Sequence, residues 1–114
     1  MRLRSDIWVS GYLRQVMAGG AFVAVRKRGS PEAGAIFIRI DHLDGAGALY
    51  GPASQSVMAE ADPDRRFRLL HEETAIDNPA IESRLAREQK FDSDLWIVEV
   101  EDRKGRSFLD DYLA

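Results

Sequence analysis

Residues 33–52 read AGAIFIRIDHLDGAGALYGP. Within this stretch Ile36, Ile38 and Ile40 alternate with their neighbours, which is the period of two that is typical of a half-buried strand. Isoleucine is also well suited to a pleated sheet, because its branched side chain packs against neighbouring strands. The stretch therefore predicts a central strand, and the other elements are expected to form around it.

The dipeptide Asp44-Gly45 predicts a tight turn after this strand, because both residues tolerate positive φ. A two-residue type I′ turn would lead into a returning strand at residues 47–51. The expected partners are Ile40 with Leu49 and Arg39 with Tyr50. This register keeps apolar side chains on one face and polar or amphipathic side chains on the other, so the hairpin is self-consistent.

Two main helices are predicted, one before and one after the first group of strands. Ser5 followed by Asp6 favours a helix start, and an apolar stripe at helical spacing continues until Gly19-Gly20 ends the helix. Asn78-Pro79 favours the start of the second helix, because proline suits the first helical turn. Residues 107–114 carry apolar side chains at helical spacing and predict a short C-terminal helix.

Alternation also predicts strands at residues 21–28, 66–72 and 95–102. Residues 53–61 could extend a strand or form a loop, and both interpretations stay open. The resulting order is helix, four strands, helix, strand, short helix. Because hairpin connections dominate, we expect one α+β domain over residues 1–114. Its largely antiparallel sheet of about five strands would carry the main helices on one face.

Composition describes an ordinary globular chain, with 45% hydrophobic and 31% charged residues. The chain has no cysteine, which excludes disulfides and cysteine-based zinc sites. The N-terminal stretch lacks the continuous apolar region of a signal peptide, and no segment approaches the length of a membrane span. We therefore expect a cytoplasmic location and no membrane partner.

The net charge of −3 conceals an asymmetry between the two halves of the chain. Residues 1–50 carry seven Lys/Arg against four Asp/Glu, and residues 51–114 carry nine against fifteen. One half is therefore basic and the other acidic. In a small domain this pattern indicates separate surface faces more often than separate partners.

Four stretches have an order and spacing that match a known family. They are SDIWVSGYLR at 5–14, GAIFIRI at 34–40, ALYGP at 48–52 and DLWIVEVEDR at 94–103. The chain resembles members of an alphaproteobacterial family, the domain of unknown function 1491. The resemblance runs nearly end to end but leaves out residues 53–64. It implies a small cytoplasmic bacterial protein, and it provides no reaction and no catalytic residue to carry over.

The two histidines are the candidates for an enzymatic site. His42 follows Asp41, and His71 lies two residues before Glu73, so together they could offer imidazoles and carboxylates to zinc or manganese. No metal-binding spacing pre-arranges these four residues. The more common outcome is a pair of histidines satisfied by their neighbours. We therefore expect no metal and no other cofactor, and the residues favour a protein that is not an enzyme.

The candidate binding residues combine positive charge with aromatic rings on one predicted sheet face. They are Arg26, Arg28, Arg39, Phe37 and Tyr50, with Phe22 beside them. Proteins that bind single-stranded nucleic acids use this combination for phosphates and for base stacking. The simpler interpretation is that a helix or a partner covers the aromatic rings and the arginines form a rim. The sequence lacks an RNP-type motif that would decide for nucleic acid.

These observations favour a non-catalytic binding or protein-interaction module whose partner is another protein or a second copy of the chain. A small enzyme using His42 or His71, and a nucleic-acid- or nucleotide-binding domain, remain the alternatives. The three arginines of the predicted face need an anion to screen them. The acidic half of the same chain would suffice. Our hypothesis is instead a dimer in which the acidic surface of one copy meets the basic face of another, with residues 107–114 at its edge.

Overall fold

The computed structural model describes residues 3–53 and 65–114. The open question about residues 53–61 therefore lies outside the described residues, except that Ala53 follows the end of a strand. The helices are α1 (Ser5–Ala18) and α2 (Asn78–Phe91), and a 3-10 turn spans Asp110–Tyr112. The strands are β1 (Phe22–Lys27), β2 (Ile36–Asp41), β3 (Ala46–Pro52), β4 (Phe67–Leu69), β5 (Ile76–Asp77) and β6 (Trp96–Glu101).

The α+β class is confirmed, but the sheet is mixed. Its strand order is β1-β6-β2-β3-β4, and the short strand β5 also pairs with β3. The last strand, β6, lies between β1 and β2 and runs parallel to β2, whereas the other pairs are antiparallel. The parallel pair arises because α2 is a crossover that returns the chain in the direction of β2. Local hairpin signals do not reveal such a pairing.

The two helices lie on opposite faces of the sheet, so the prediction that both share one face is wrong. On one face Ile38 and its alternating neighbours pack against the apolar stripe of α1. On the other face Phe37 packs with Ile81 and Leu85 of α2. β2 is therefore buried on both sides, and the sheet is the middle layer of three.

The predicted hairpin register is wrong by one residue. The observed pairs are Ile38 with Tyr50, Arg39 with Leu49 and Ile40 with Ala48. The connection spans residues 42–45, and both Leu43 (φ 63°) and Gly45 (φ 90°) adopt the left-handed conformation. A leucine at positive φ is uncommon, so the sequence favours the shorter turn. The shift places Tyr50 on the α1 face of the sheet, away from Arg39.

Several element ends differ from the predictions because side chains have other partners. Ser5 does not cap α1, since its hydroxyl is buried and donates to the Gly34 carbonyl at 2.7 Å. The cap of α2 is Asp77, whose carboxylate accepts the Ala80 N–H at 2.9 Å. The predicted strand at 66–72 is shorter, and the predicted C-terminal helix is a single 3-10 turn.

We expect Ile38→Ala to lower the free energy of unfolding by about 2–5 kcal/mol, the usual range for large-to-small changes in a core. Ile38 is fully buried in the central strand, so its truncation removes apolar contacts and leaves a cavity in the core. Chemical denaturation measures the change. Met17→Ala is the control, because Met17 lies exposed on α1 and its truncation should change stability little. Equal stabilities of the two variants would contradict this packing.

Candidate functional site

The five predicted binding residues do not share one face. Arg26 and Arg39 lie on the α2 face, where both contact Glu82. Arg28 lies on the α1 face, with its guanidinium 5.0 Å from the centre of the Trp96 ring. Two further residues are divided in the same way: Phe37 is buried beneath α2, and Tyr50 packs on the α1 side. The predicted basic and aromatic surface is therefore split between the two faces.

The α2 face holds an ion-pair network instead of an open basic patch. Arg26 donates two hydrogen bonds to the Glu82 carboxylate, with Nη1 2.7 Å from Oε2. Arg39 contacts the same carboxylate, and its Nη1 lies 3.6 Å from Oε1 of Glu99. Two arginines thus face two glutamates. Both glutamates belong to the acidic half of the same chain, so the chain itself supplies the anions that screen these arginines.

Burial explains why this network is needed. Arg39 is only 6% exposed, and a guanidinium at that depth is costly unless carboxylates pair with it. Within the described chain its Nε has no hydrogen-bond partner. The pKa of Glu82 lies below its usual value, first because Arg26 donates to it and then because the charge of Arg39 adds attraction. Arg26 and Arg39 therefore join α2 to the sheet.

The two histidines have different surroundings. His71 Nε2 accepts the Leu49 N–H at 3.0 Å, and Nδ1 lies 2.8 Å from the Glu73 carbonyl oxygen. This pattern requires a neutral imidazole with the proton on Nδ1. His42 lies in the β2–β3 connection against Gly105, and the neighbouring Asp41 carboxylate accepts the Leu43 N–H at 2.8 Å. A catalytic role for His42, His71, Asp41 or Glu73 stays a prediction.

The described ranges contain no group of three or more histidine, aspartate or glutamate side chains that could hold a metal ion. In residues 3–53 and 65–114, no helix is long and apolar enough to cross a membrane.

The C-terminal segment is fixed to the α1 side of the molecule. Asp102 is largely buried and its carboxylate accepts the Arg106 backbone N–H at 2.9 Å and the Nε–H at 2.8 Å. These bonds lower the pKa of Asp102 to about 2. Further along, the Tyr12 hydroxyl donates to the Ser107 carbonyl at 2.6 Å, and burial raises the pKa of that tyrosine. The segment is thus held at both its start and its middle.

The end of this segment covers one edge of the sheet. Leu113 forms a parallel bridge with Phe67 of β4, and the Ala114 N–H donates to the Phe67 carbonyl at 2.9 Å. Arg66 reaches the same segment through the Asp111 carbonyl at 2.8 Å. The outer edge of β4 is therefore occupied by the chain itself.

The opposite edge, β1, has β6 as its only partner strand in the described part of the chain. The hydrogen bonds of β6 show which β1 groups are free. Trp96 N–H donates to the Ala35 carbonyl at 2.8 Å, and Asp102 N–H donates to the Asp41 carbonyl at 3.0 Å. Even-numbered residues of β6 therefore direct their backbone groups towards β2, and odd-numbered residues direct theirs towards β1.

The register with β6 then assigns the free backbone groups of β1. Phe22 and Ala24 lie opposite the odd-numbered Glu101 and Glu99, so their N–H and C=O groups bond to β6. The intervening Val23, and Val25 after it, direct theirs outwards. Between Val25 and Lys27 the register shifts, so the regular alternation of free and bonded residues ends there, and pairing resumes at Lys27 with Ile97. The free edge is consequently a short segment without charged side chains.

A groove of about 350 Å³ runs beside this edge on the α1 face. Its lining includes Ser10 and Arg14 from α1, and Val25, Arg28 and Trp96 from the sheet side. No local pattern in the sequence predicts the groove, because its lining comes from segments far apart in the chain. The acidic alternation in β6 indicates its cationic neighbours on the α2 face, Arg26 and Arg39, and not the groove.

The fold is a three-layer α+β module in which one sheet edge is covered and the other is left unpaired by the described residues. The model of the family described as "Protein of unknown function (DUF1491)" matches residues 3–110, and the chain belongs to that family. The resemblance seen in the four sequence stretches is thereby confirmed.

Solved structures of the family share the fold. The crystal structure of a DUF1491 family protein from Caulobacter crescentus CB15 is 31% identical, with a TM-score of 0.80 over 100% of this chain and 99% of that one. The NMR structure of a DUF1491 family protein from the same organism is 32% identical, with a TM-score of 0.80 over 100% of this chain and 98% of that one. The solution structure of Atu0922 from A. tumefaciens is 45% identical, with a TM-score of 0.76 over 89% and 86%. No curated protein matches the chain.

We expect Glu82→Gln to destabilise the protein by about 1–3 kcal/mol, because it leaves the buried Arg39 with Glu99 alone and removes charged hydrogen bonds from Arg26. Glu72→Gln is a matched control, since Glu72 is exposed and removes the same charge. Urea denaturation at neutral pH compares the two. A larger effect of Glu72→Gln would show that the network does not hold α2.

We expect the stability of the wild type to fall more steeply with decreasing pH than the stability of the Asp102→Asn variant. The folded pKa of Asp102 is about 2, below its value in an unfolded chain, so its ionisation stabilises the fold above about pH 4. That contribution is lost as the pH falls from about 4 to about 2. Thermal unfolding across this range measures it. Parallel curves for the two proteins would contradict the role of the Asp102–Arg106 contact.

Proposed function

We propose that the protein is a non-catalytic interaction module that binds an extended segment of a partner protein along the outer edge of β1. In this mode of recognition, called β-strand addition, backbone hydrogen bonds supply affinity and alternate side chains supply specificity. The observation that carries the proposal is the contrast between the two sheet edges. The chain covers β4 with its own C-terminal segment but pairs none of its described residues with the outer edge of β1.

Features of β1 itself support this proposal. Exposed edge strands readily pair with other chains, and proteins usually protect them with charges, proline or bulges. In β1 the bulge and the charges begin only at Arg26, so Val23 and Val25 remain as unprotected pairing positions. Phe22 is 60% exposed on the adjacent face. An aromatic side chain at such an edge is typical of a contact surface.

The dimer hypothesis assumed that the arginines need an anion from a second copy. Glu82 and Glu99 already screen Arg26 and Arg39, so this reason for a dimer no longer applies. The nucleic-acid alternative loses the shared face on which it depended. A cytoplasmic location remains a prediction from the sequence.

Hydrogen exchange offers a direct test. In the free protein we expect the amides of Val23 and Val25 to exchange quickly and those of Phe22 and Ala24 to exchange slowly, because only the latter bond to β6. Linear peptides selected from a random phage-displayed library should then protect Val23 and Val25. Peptides that protect other regions, or a selection that yields no binder, would contradict the proposal.

Val23→Pro and Ala24→Pro form a matched pair. Proline at 23 removes an outward N–H and should weaken the selected peptides at least about tenfold while the protein stays folded. Proline at 24 removes a bond to β6 and should lower the melting temperature more. Calorimetric titration and thermal unfolding measure both effects. Wild-type affinity of Val23→Pro would argue against strand addition.

A further inference from the structure

We infer that the segment added to β1 alternates acidic with apolar residues, and that its acidic side chains enter the groove beside Arg14 and Arg28. This inference rests on the proposed function and specifies the partner. It follows from the two faces that an added strand would present, and from the charges that each face meets.

The first step is geometric. A residue that hydrogen-bonds to Val25 in an antiparallel pair lies directly opposite it, with its side chain on the same face of the sheet. Val25 faces α1 and lines the groove. Every second side chain of an added strand would therefore point into or along the groove. The same step applies at Val23, which also packs on the α1 face.

The second step concerns charge. Arg14 and Arg28 both line the groove, and neither forms an ion pair with any described carboxylate. The one carboxylate in the lining is Asp6, whose pKa is lowered first by Arg4, which binds it at 3.2 Å, and also by the charge of Arg28, so two arginines of the lining face a carboxylate that is already paired. The groove side of the edge therefore has excess positive charge, which favours a carboxylate from the partner.

The third step concerns the other face. Phe22 and Ala24 lie on the α2 side of β1, and both are exposed. The intervening residues of an added strand would lie beside this aromatic ring and this small side chain. Apolar side chains there would bury the ring, so the complementary pattern is acidic on one face and apolar on the other.

Charge also argues against a second copy of this chain as the occupant. Residues 21–31 read AFVAVRKRGSP, which contains three cations and no acid. Pairing β1 with another β1 would bring like charges together beside Arg14 and Arg28. Such juxtaposition disfavours the pair. An acidic segment of another protein is therefore the occupant that we propose.

Two synthetic peptides test this directly: acetyl-SEVEVEVES-amide and acetyl-SEVQVQVES-amide, in which the two central glutamates are replaced. We expect the first to protect the amides of Val23 and Val25 and to bind about fivefold more tightly than the second, since an exposed ion pair contributes up to about that factor. Raising the salt concentration should reduce the difference.

Variants of the protein locate the effect. Arg14→Gln and Arg28→Gln should each weaken the glutamate peptide and bring the two affinities together. Arg87→Gln is the control, because it removes the same charge from an exposed position on α2, and it should leave both affinities unchanged. Melting temperatures confirm that each variant is folded.

The outcomes separate this inference from the proposed function. Equal binding of both peptides with protection of Val23 and Val25 would overturn the acidic partner and leave strand addition in place. Failure of both peptides while library peptides still bind at β1 would do the same. Protection that rises with the concentration of the free protein would identify a second copy as the occupant and overturn the inference. If no peptide of any kind binds at β1, both proposals fail.

Discussion

The parallel pairing of β6 with β2 is the contact on which the rest of the structure depends. It places Val98 beside Ile38 at the centre of the sheet. The last strand of the chain therefore lies inside the sheet, between β1 and β2. The parallel pairing requires a crossover, and so it places α2 on the face that α1 leaves open. It also moves β1 outward to the edge. These contacts join residues far apart in sequence, so we expect the sheet to form late in folding.

The local elements could be predicted from the sequence, whereas their arrangement could not. The alternation of Ile36, Ile38 and Ile40 identifies β2, and the glycine pair after α1 identifies the end of that helix. Strand order, in contrast, is set by contacts between distant segments, and no local pattern encodes the insertion of β6. The hairpin was shifted by one residue because Leu43 adopts a positive φ that its side chain does not favour.

The candidate site shows the same division. Sequence reasoning identified arginines that need an anion, and the structure supplies one for Arg39 in Glu82 of α2. It could not assign the faces, because the register shift between Val25 and Lys27 in β1 and the shifted β2–β3 register place Arg28 and Tyr50 on the α1 face, whereas Arg39 lies on the α2 face. The free backbone groups of Val23 and Val25 are beyond any sequence pattern, since they depend on which neighbour a strand lacks.

The covered edge at β4 limits the size of any assembly built by this sheet. A sheet with two uncovered edges can accept a neighbour on each side, and each neighbour can accept another, so growth has no natural end. Here the Leu113–Phe67 bridge terminates one side. Among its described residues each copy of this chain has one uncovered edge, so edge-to-edge pairing of copies ends at two. The C-terminal residues thus prevent a further strand from pairing with β4, at the sheet edge opposite β1, and in this way oppose fibre formation.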